Sequence, residues 1–461
     1  MLDAMQANVS TAFSPSPRPR SGDELELTIE RLAYGGAGVA RRDGYVVFVQ
    51  DAIPGDRVRA TVAKAKRAYA EARAIEILAP SPDRVDPVAD HPGAPWQVLP
   101  YERQLEVKQE QVDDALRRIG KLDGYALEPI LPAQATWRYR NKLEYSFGAD
   151  ASGRLVCGFH APGRWNDIIE TADCLLASEA GNAAREEVVQ WCRAQGLTSY
   201  DRRSGEGFLR NLVVREGRRT GQLQVRLVTS PGRLDRDGLA AATRSADGVL
   251  WTQVRGPAEV THSGETELIA ADDRLDEELG GLRLRISSQA FFQTNTEMAE
   301  HLYRIAIELA ELRGYERVYD LYCGIGTIGL LMAPRVAQVW GLDLVEEAIA
   351  DAIANAKHNE IDNVRFFAGD VRLALRELIA TAGKPDALVV DPPRAGLSQK
   401  VVRRMIEAAP RRIVYVSCNP TTLAPNAAQL VEAGYELTRV RPVDMFPQTP
   451  HIECVAVLAR A

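Results

Sequence analysis

The sequence predicts an α/β protein whose C-terminal part is a mostly parallel, doubly wound sheet, preceded by a small β-barrel and a mixed α+β middle region. Three observations carry this prediction. From about residue 297, strand-like runs (RVYDLYC, VAQVWGLD, NVRFFAGD, ALVVDPP, RRIVYVSC) alternate with helical runs, the pattern of strand–helix–strand units. A G-x-G-x-x-G loop, Gly324 to Gly329, opens a helix after the first of these strands. Residues 22–80 hold only short strand-like runs separated by turn signals such as Arg42-Asp43-Gly44 and Pro54-Gly55-Asp56, which is the spacing of a small OB-like barrel.

Taken in order, residues 1–21 are rich in Ser, Pro and Ala without apolar period and are expected to be a disordered tail. In the barrel, residues 22–80, Arg57, Arg59, Lys64, Lys66, Arg67 and Arg73 cluster with only Glu71 among them. That cluster reads either as a solvated strand pair or as a groove for a phosphate backbone. A Pro-rich connector opens the segment 81–285. YERQLEVKQEQVDDALRRIG (101–120) is a helix with Leu105, Val112, Leu116 and Ile119 on one side and Gly120 as C-cap. The basic-aromatic strands TWRYRNKLEYSFG and FLRNLVVREG follow, with the helix EAGNAAREEVVQWCRAQG between them. Residues 286–461 form the doubly wound domain. Its last two strands, YELTRVRPVDMF and HIECVAVLAR, have a short connection and are expected to form an antiparallel pair.

The chain has 461 residues, 46% hydrophobic and 26% charged, with a formal net charge of −7. That is ordinary globular composition, and it argues against non-specific coating of nucleic acid without excluding a local basic patch. No apolar run is long enough for a transmembrane helix, and the N-terminus lacks the apolar core of a signal peptide. The six cysteines are scattered without a C-x-x-C, so a reducing cytoplasm fits and no metal site is expected.

The ligand of the glycine loop follows from chemistry. Asp320 lies just before Tyr322-Cys323-Gly324-Ile325-Gly326-Thr327, Asp343 ends the next strand and Asp370 the one after. A carboxylate at Asp320 opposes a pyrophosphate but attracts an ammonium or sulfonium. S-adenosylmethionine carries both and has no phosphate; Asp343 then suits its ribose and Asp370 its adenine amino group. Two further strand tips carry reactive groups. Asp391-Pro392-Pro393-Arg394 is a stiff loop similar to the D/N-P-P-Y/F loop of amine methyltransferases. Cys418, before Asn419-Pro420, lies at the tip of the neighbouring strand. A thiolate adding to C6 of a uracil turns C5 into a carbon nucleophile, and a base such as Glu453 must afterwards remove the C5 proton.

SSQAFFQTN, DLYCGIGTIGL, GLDLVEEAI, VVDPPRAGL, VYVSCNPTTLA and VDMFPQTPHIECV occur in that order, and together they resemble the bacterial RNA (uracil-5-)-methyltransferases. The resemblance implies a class I S-adenosylmethionine-dependent methyltransferase fold, a Rossmann-like, mostly parallel seven-stranded sheet. It further implies a TRAM domain, an OB-like RNA-binding barrel, in residues 22–80. Cys418 falls on the nucleophile and Glu453 on the base. Gln293, Tyr322, Asp343, Asp370 and Asp391 fall on cofactor- or site-lining positions, with Thr327 a weaker match. Gln293 and Asp391 would orient the uracil, and Trp137, Arg138, Tyr139 and Arg140 are candidate stacking and phosphate contacts.

Many members bind a [4Fe–4S] cluster through four cysteines. Here residues 89–98 hold none and only Cys174 remains, so no cluster is expected. The resemblance implies an RNA partner, 23S rRNA ahead of tRNA, in a cytoplasmic, monomeric enzyme with no membrane contact. The alternatives are an amine-directed nucleic-acid methyltransferase using Asp391 and a non-catalytic RNA-binding protein.

Overall fold

A computed structural model describes residues 18–257, 261 and 264–460. The chain divides into two compact units, Met1–Asp86 with Val98–Pro100, and Pro87–Gln97 with Tyr101–Ala461.

The first unit is one curled sheet. Its strands are β1 (Glu24–Thr28), β2 (Arg31–Leu32), β3 (Gly38–Arg42), β4 (Tyr45–Gln50), β5 (Arg57–Ala65) and β6 (Tyr69–Ala79), in the order β1-β5-β6-β4-β3-β2. Alternate residues such as Leu25, Leu27, Val47, Val49, Val58, Ala60 and Val62 face a common core. Three register shifts in the β5–β6 pairing add the twist that curls the sheet. Of the six clustered cations, Arg59 pairs with Glu76 at 2.7 Å and Arg73 with Asp51 at 2.5 Å, while Lys64, Lys66 and Arg67 stand exposed around the β5–β6 turn. Residues 1–17 of the expected tail lie outside the described residues. Arg20 and Ser21 are held to the sheet, the Ser21 hydroxyl donating to the Ala63 carbonyl at 3.0 Å.

The second unit starts with helix α1 (Tyr101–Asp114), which runs into a π-turn at Ala115–Ile119, and a short strand β7 (Ala126–Leu127). Next come β8 (Lys142–Ala149), β9 (Leu155–Ala161), β10 (Arg164–Glu170), α2 (Glu179–Ala194), β11 (Leu209–Glu216), β12 (Leu223–Thr229), α3 (Arg236–Ala242), β13 (Gly248–Gln253) and β14 (Glu265–Ala271). These strands form a sheet in the order β10-β9-β8-β11-β12-β13-β14, and Ala184, Val188, Val189 and Cys192 of α2 pack into its core. The hairpin β15 (Arg274–Leu279) and β16 (Leu282–Ser287) leads to α4 (Thr296–Ala310); the expected boundary at 285 falls within β16.

The remaining elements alternate: β17 (Arg317–Leu321), α5 (Thr327–Met332), β18 (Gln338–Asp343), α6 (Glu346–His358), β19 (Val364–Ala368), α7 (Val371–Ala382), β20 (Ala387–Val390), α8 (Gln399–Ala408), β21 (Arg412–Ser417), α9 (Pro420–Glu432), β22 (Tyr435–Val443) and β23 (Glu453–Arg460). The sheet order is β19-β18-β17-β20-β21-β23-β22-β7. Strands β17 to β21 are mutually parallel, and β23 lies antiparallel between β21 and β22. The seven expected strands are thus joined by an eighth, β7, two residues long and parallel to β22. One face packs Met298, Leu302, Ile305, Ile328 and Ile349 of α4, α5 and α6. On the other, the Tyr319 hydroxyl reaches α7 and the Tyr415 hydroxyl reaches Asn426 of α9. The chain turns from building outward through β18 and β19 to building the other way through β20 at β17, so a crevice opens at the tips of β17 and β20.

Helix α1 differs from its sequence reading. Its buried face carries Gln104, Val107, Lys108, Gln111 and Val112, and Ile119 is 51% exposed. Gly120 keeps a right-handed φ of −74°. Its role is spatial, because a Cβ there would meet the Leu116 carbonyl oxygen at 2.8 Å and the Ala424 carbonyl oxygen at 3.0 Å. No described helix is long and apolar enough to cross a membrane.

Candidate active site

The β17 tip carries the glycine loop. Tyr322, Gly324 and Gly326 all have positive φ (62°, 52° and 82°). Gly326 is required twice over, since a Cβ would also meet Phe366 at 2.7 Å. It caps α5, whose first residue, Thr327, is buried. A Cβ on Gly324 would point into open space, so the loop backbone here stands clear of other side chains.

The acidic residues fix this loop. Asp343 Oδ2 accepts from the Gly324 amide and Oδ1 from the Val345 amide, both at 2.9 Å. Asp370 caps α7 and forms an ion pair with Arg372; the Gly369 amide donates to the Asp343 carbonyl at 2.7 Å, tying the two strand tips together. Tyr322 lies beside them, its hydroxyl pushed up by burial and by Asp370 and Asp343. Asp320 is fully buried; Oδ2 accepts from the Gly329 amide at 2.9 Å, while Oδ1 has no partner. Burial, with the nearby Asp391 and Asp343, pushes its pKa up to about 8.

An orphaned, buried carboxylate oxygen beside an open backbone loop fits a cationic amino-acid group. S-adenosylmethionine fits this donor set. Asp320 would hold its ammonium side, Gly324 would lie against its chain, and Asp343 and Asp370 would hold the nucleoside, with Leu344 and Val345 supplying exposed apolar surface next to Asp343.

The residues expected to react lie at the tips of β20, β21 and β23. Antiparallel pairing sets Ser417, the last residue of β21, opposite Cys454, and continuing that register by one step brings Cys418 level with Glu453. Cys418 is held by the turn into α9, where Asn419 caps the helix by accepting from the Thr421 amide at 3.0 Å. The Asn419 amide also donates to the Arg394 carbonyl at 3.0 Å, which locks the Asp391–Arg394 loop to the cysteine turn.

Burial, then the charges of Glu453 and Asp391, push the Cys418 thiol up to about 12, with Arg394 pulling the other way. Glu453 is buried, its Oε2 has no partner, and burial followed by Asp391 drives its pKa well up. Burial raises Asp391 to about 7.

Gln293 is buried, its carbonyl accepting from Asn141 at 2.8 Å. Tyr303 of α4 is buried as well, its hydroxyl pushed well up by burial and then by the charges of Asp391, Glu453 and Asp320. Tyr303 escaped sequence reading because it sits in the apolar stripe of α4 with Ala299, Leu302 and Ala306; a polar-tipped aromatic in that stripe is the available signal. Phe291 was missed too: it is 67% exposed two residues before Gln293, where an aromatic face is open for stacking.

The 137–140 segment divides. Arg138 pairs with Asp173 at 3.1 Å. Tyr139 is buried, donating to the Pro447 carbonyl at 2.9 Å, and Trp137 packs against the central core. Arg140 lies over the Phe446 ring at 5.8 Å and so borders the loop that leads into Glu453.

That loop, 444–452, is clamped from three directions. Lys108 donates to Asp444 at 2.6 Å, Gln104 to Gln448 at 2.8 Å, and Asn295 to the Met445 carbonyl at 2.9 Å. The polar face of α1 therefore exists to hold the residues ahead of Glu453.

Cys174 sits in the second unit against His91, 3.2 Å from Nε2. The Gly93 amide donates to His91 Nδ1 at 3.1 Å, so Nε2 carries the proton and donates to sulfur. One thiol, one imidazole and the Tyr145 phenol do not fit the four-thiolate donor set of an iron–sulfur cluster. Among the described residues no three His, Cys, Asp or Glu side chains converge on a metal-sized site.

Comparison with known proteins agrees with this geometry. Residues 260–461 match the family model of tRNA (uracil-5-)-methyltransferases, and residues 19–75 match the TRAM domain. An uncharacterized RNA methyltransferase of Halalkalibacterium halodurans is 37% identical over 95% of this chain and 97% of its own length. One from Chlorobaculum tepidum is 39% identical over 96% of this chain and 98% of its own. The crystal structure of Pyrococcus abyssi tRNA (uracil-54, C5)-methyltransferase with S-adenosyl-L-homocysteine superposes with a TM-score of 0.78 at 29% identity, covering 94% of this chain and all of that one.

Proposed function

The chain belongs to the RNA (uracil-5-)-methyltransferase family, enzymes that use S-adenosylmethionine, and on that premise we propose that it forms 5-methyluridine in 23S rRNA through a covalent adduct between Cys418 and C6 of the uracil. The observation that carries the mechanism is the β21–β23 register, which brings Cys418, one residue beyond β21, level with Glu453 at the start of β23, whose buried Oε2 has no partner.

Asp391 and Gln293 orient the uracil. Cys418 rests as a thiol because its pKa lies near 12. Its proton passes to Asp391, which at about 7 keeps an ionised fraction at neutral pH, as Sγ bonds C6 and the C5=C6 electron pair moves to the enolate. Asp391 is then an acid able to donate to the enolate oxygen. When bound, S-adenosylmethionine would supply an electrophilic methyl group to C5 from its sulfonium, leaving as S-adenosylhomocysteine. Glu453, made more basic by burial, removes the C5 proton; the C5=C6 bond re-forms as the C6–S bond breaks and the thiol is restored. The uridine must leave its stack to reach these strand tips, and the exposed Phe291 offers a stacking surface beside the crevice. The cytoplasm is the compartment that fits this substrate, and the enzyme acts as a monomer in this reading.

A second target, tRNA, is favoured by the likeness to the Pyrococcus abyssi enzyme. Mapping 5-methyluridine in rRNA and tRNA from cells with and without the gene decides between them: loss from 23S rRNA supports the first reading, loss from tRNA the second, and loss from neither defeats both.

Asp320 gives a pH prediction for the cofactor site. Its free carboxyl, at about 8, is mostly protonated at pH 7, and a bound ammonium group favours the ionised form. Binding therefore releases a proton and strengthens as pH rises. S-adenosylhomocysteine affinity is expected to increase roughly 10- to 30-fold between about pH 6.5 and 8.5, and Asp320→Asn to remove that slope. Calorimetry in buffers of different ionisation enthalpy reads the proton directly; a flat profile in the unaltered enzyme would mean that Asp320 does not face the cation.

A further inference from the structure

Away from the crevice, the second unit holds a cavity of about 290 Å³ at the rim of its central sheet, where β8, β9, β10 and β11 meet the turn at 199–203. That volume is at the lower end for small-ligand pockets. His160, Asn166, Tyr200, Arg202, Arg203 and Arg210 line it, and Asp201 is the one carboxylate among the described lining residues. Asp201 is spent on its own turn, Oδ1 accepting from the Arg203 amide at 2.7 Å. The cavity thus offers an anion the exposed Arg203 at its edge.

It is also built for a flat group. The Arg210 guanidinium lies 3.8 Å from the centre of the Tyr200 ring. Its Nε donates to Ser230 at 3.0 Å and Nη2 to the Gly256 carbonyl at 2.6 Å, so the guanidinium is held in place. A planar cation stacked on an aromatic ring is a ready platform for a nucleobase.

The cavity shares a strand with the active-site loop. At the other end of β11, Arg215 donates to the carbonyls of Ser287 at 2.9 Å and Ala290 at 2.5 Å, directly ahead of Phe291 and Gln293. Five residue steps along the strand take Arg210 to Arg215, roughly 17 Å at the usual rise. An RNA strand that gives up one uridine to the crevice has neighbours that lose their stacking partners, and a second platform a few nucleotides away restores one of them.

We propose that this cavity takes a second nucleotide of the same RNA strand, its base against the Tyr200–Arg210 platform and its phosphate on Arg203. The proposal rests on the RNA-methylation reading above.

The test uses fluorescein-labelled oligouridylates, a trinucleotide and a dodecanucleotide, each with one 5-fluorouridine, on the full chain. Fluorescence anisotropy reads affinity, and denaturing gels read the covalent adduct. Wild type is expected to bind the dodecamer at least about 10-fold more tightly than the trimer. Tyr200→Ala is expected to lose about 10-fold on the dodecamer, with trimer and S-adenosylhomocysteine binding unchanged. Arg203→Glu, at an exposed turn, is expected to weaken the dodecamer and flatten its salt dependence without disturbing the fold.

Dodecamer binding equal to wild type in both variants would overturn the proposal. Free uridine 5′-monophosphate competing at micromolar concentration in wild type but not in Tyr200→Ala would also overturn it, assigning the cavity to a free nucleotide. If wild type forms no adduct with either probe, the covalent mechanism fails by itself, and the affinity comparison still decides the cavity.

Discussion

A Cys418→Ala variant is expected to bind RNA and S-adenosylhomocysteine normally and to form no 5-methyluridine, a loss of at least about 10⁴-fold for a nucleophile in a site that acts as a unit. Wild type is expected to form a denaturant-resistant complex with RNA carrying 5-fluorouridine, since fluorine at C5 cannot leave as a proton. Glu453→Gln is expected to do so on ordinary uridine. Glutamine keeps the size of the side chain but accepts no proton, so methylation proceeds and elimination stalls. The half-buried thiol just beyond β21 and the buried Glu453 that opens β23 are separate groups, so these two outcomes are separable on one gel. An adduct in wild type but not in Glu453→Gln would keep Cys418 and move the base to Asp391. No adduct in either case would favour amine methylation through the Asp391-Pro392-Pro393 loop.

Much of this site was legible because strand tips announce themselves. Asp320, Asp343, Asp370, Asp391 and Cys418 each end or follow an apolar run, and the glycine loop marks the first crossover. Parallel α/β topology then brings such tips to one edge. The pairing of Cys418 with Glu453 was less accessible, because it depends on β23 inserting between β21 and β22 rather than on any local spacing.

The failures share a cause. Helical periodicity placed Leu105 and Ile119 on the buried side of α1, but the buried side carries Gln104, Lys108 and Gln111. Its partners Asp444 and Gln448 lie more than 300 residues away, and no local pattern encodes a polar face satisfied at that distance. The aromatic and basic composition of residues 137–140 makes them candidate stacking and phosphate contacts. Tyr139 is instead buried, its hydroxyl donating to the Pro447 carbonyl. Composition gives the chemistry a segment can perform, whereas burial decides whether it faces solvent or the core.

The buried clamp on the 444–452 loop leads to the largest expected stability effect. Lys108 and Asp444 are both fully buried, 2.6 Å apart. Asp444 also accepts from Tyr101 at 2.8 Å, and Lys108 also donates to the Phe446 carbonyl at 3.0 Å. Burial pulls the Lys108 pKa down while Asp444 pulls it up, so each charge depends on the other. Lys108→Met leaves a carboxylate in the interior without its cation, a change that costs about 3–5 kcal/mol. The double variant Lys108→Met/Asp444→Asn removes both charges and is expected to recover part of that loss, because the Tyr101 hydroxyl still has an oxygen to bond. Denaturant unfolding measures both. Methylation is expected to fall in Lys108→Met beyond the loss of folded protein, since the clamped loop leads into Glu453, while S-adenosylhomocysteine binding at the β17 and β18 tips persists. An unfolding midpoint equal to wild type in Lys108→Met would show that water reaches this pair, and the loop ahead of Glu453 would then owe its position to Gln104 and Asn295 alone.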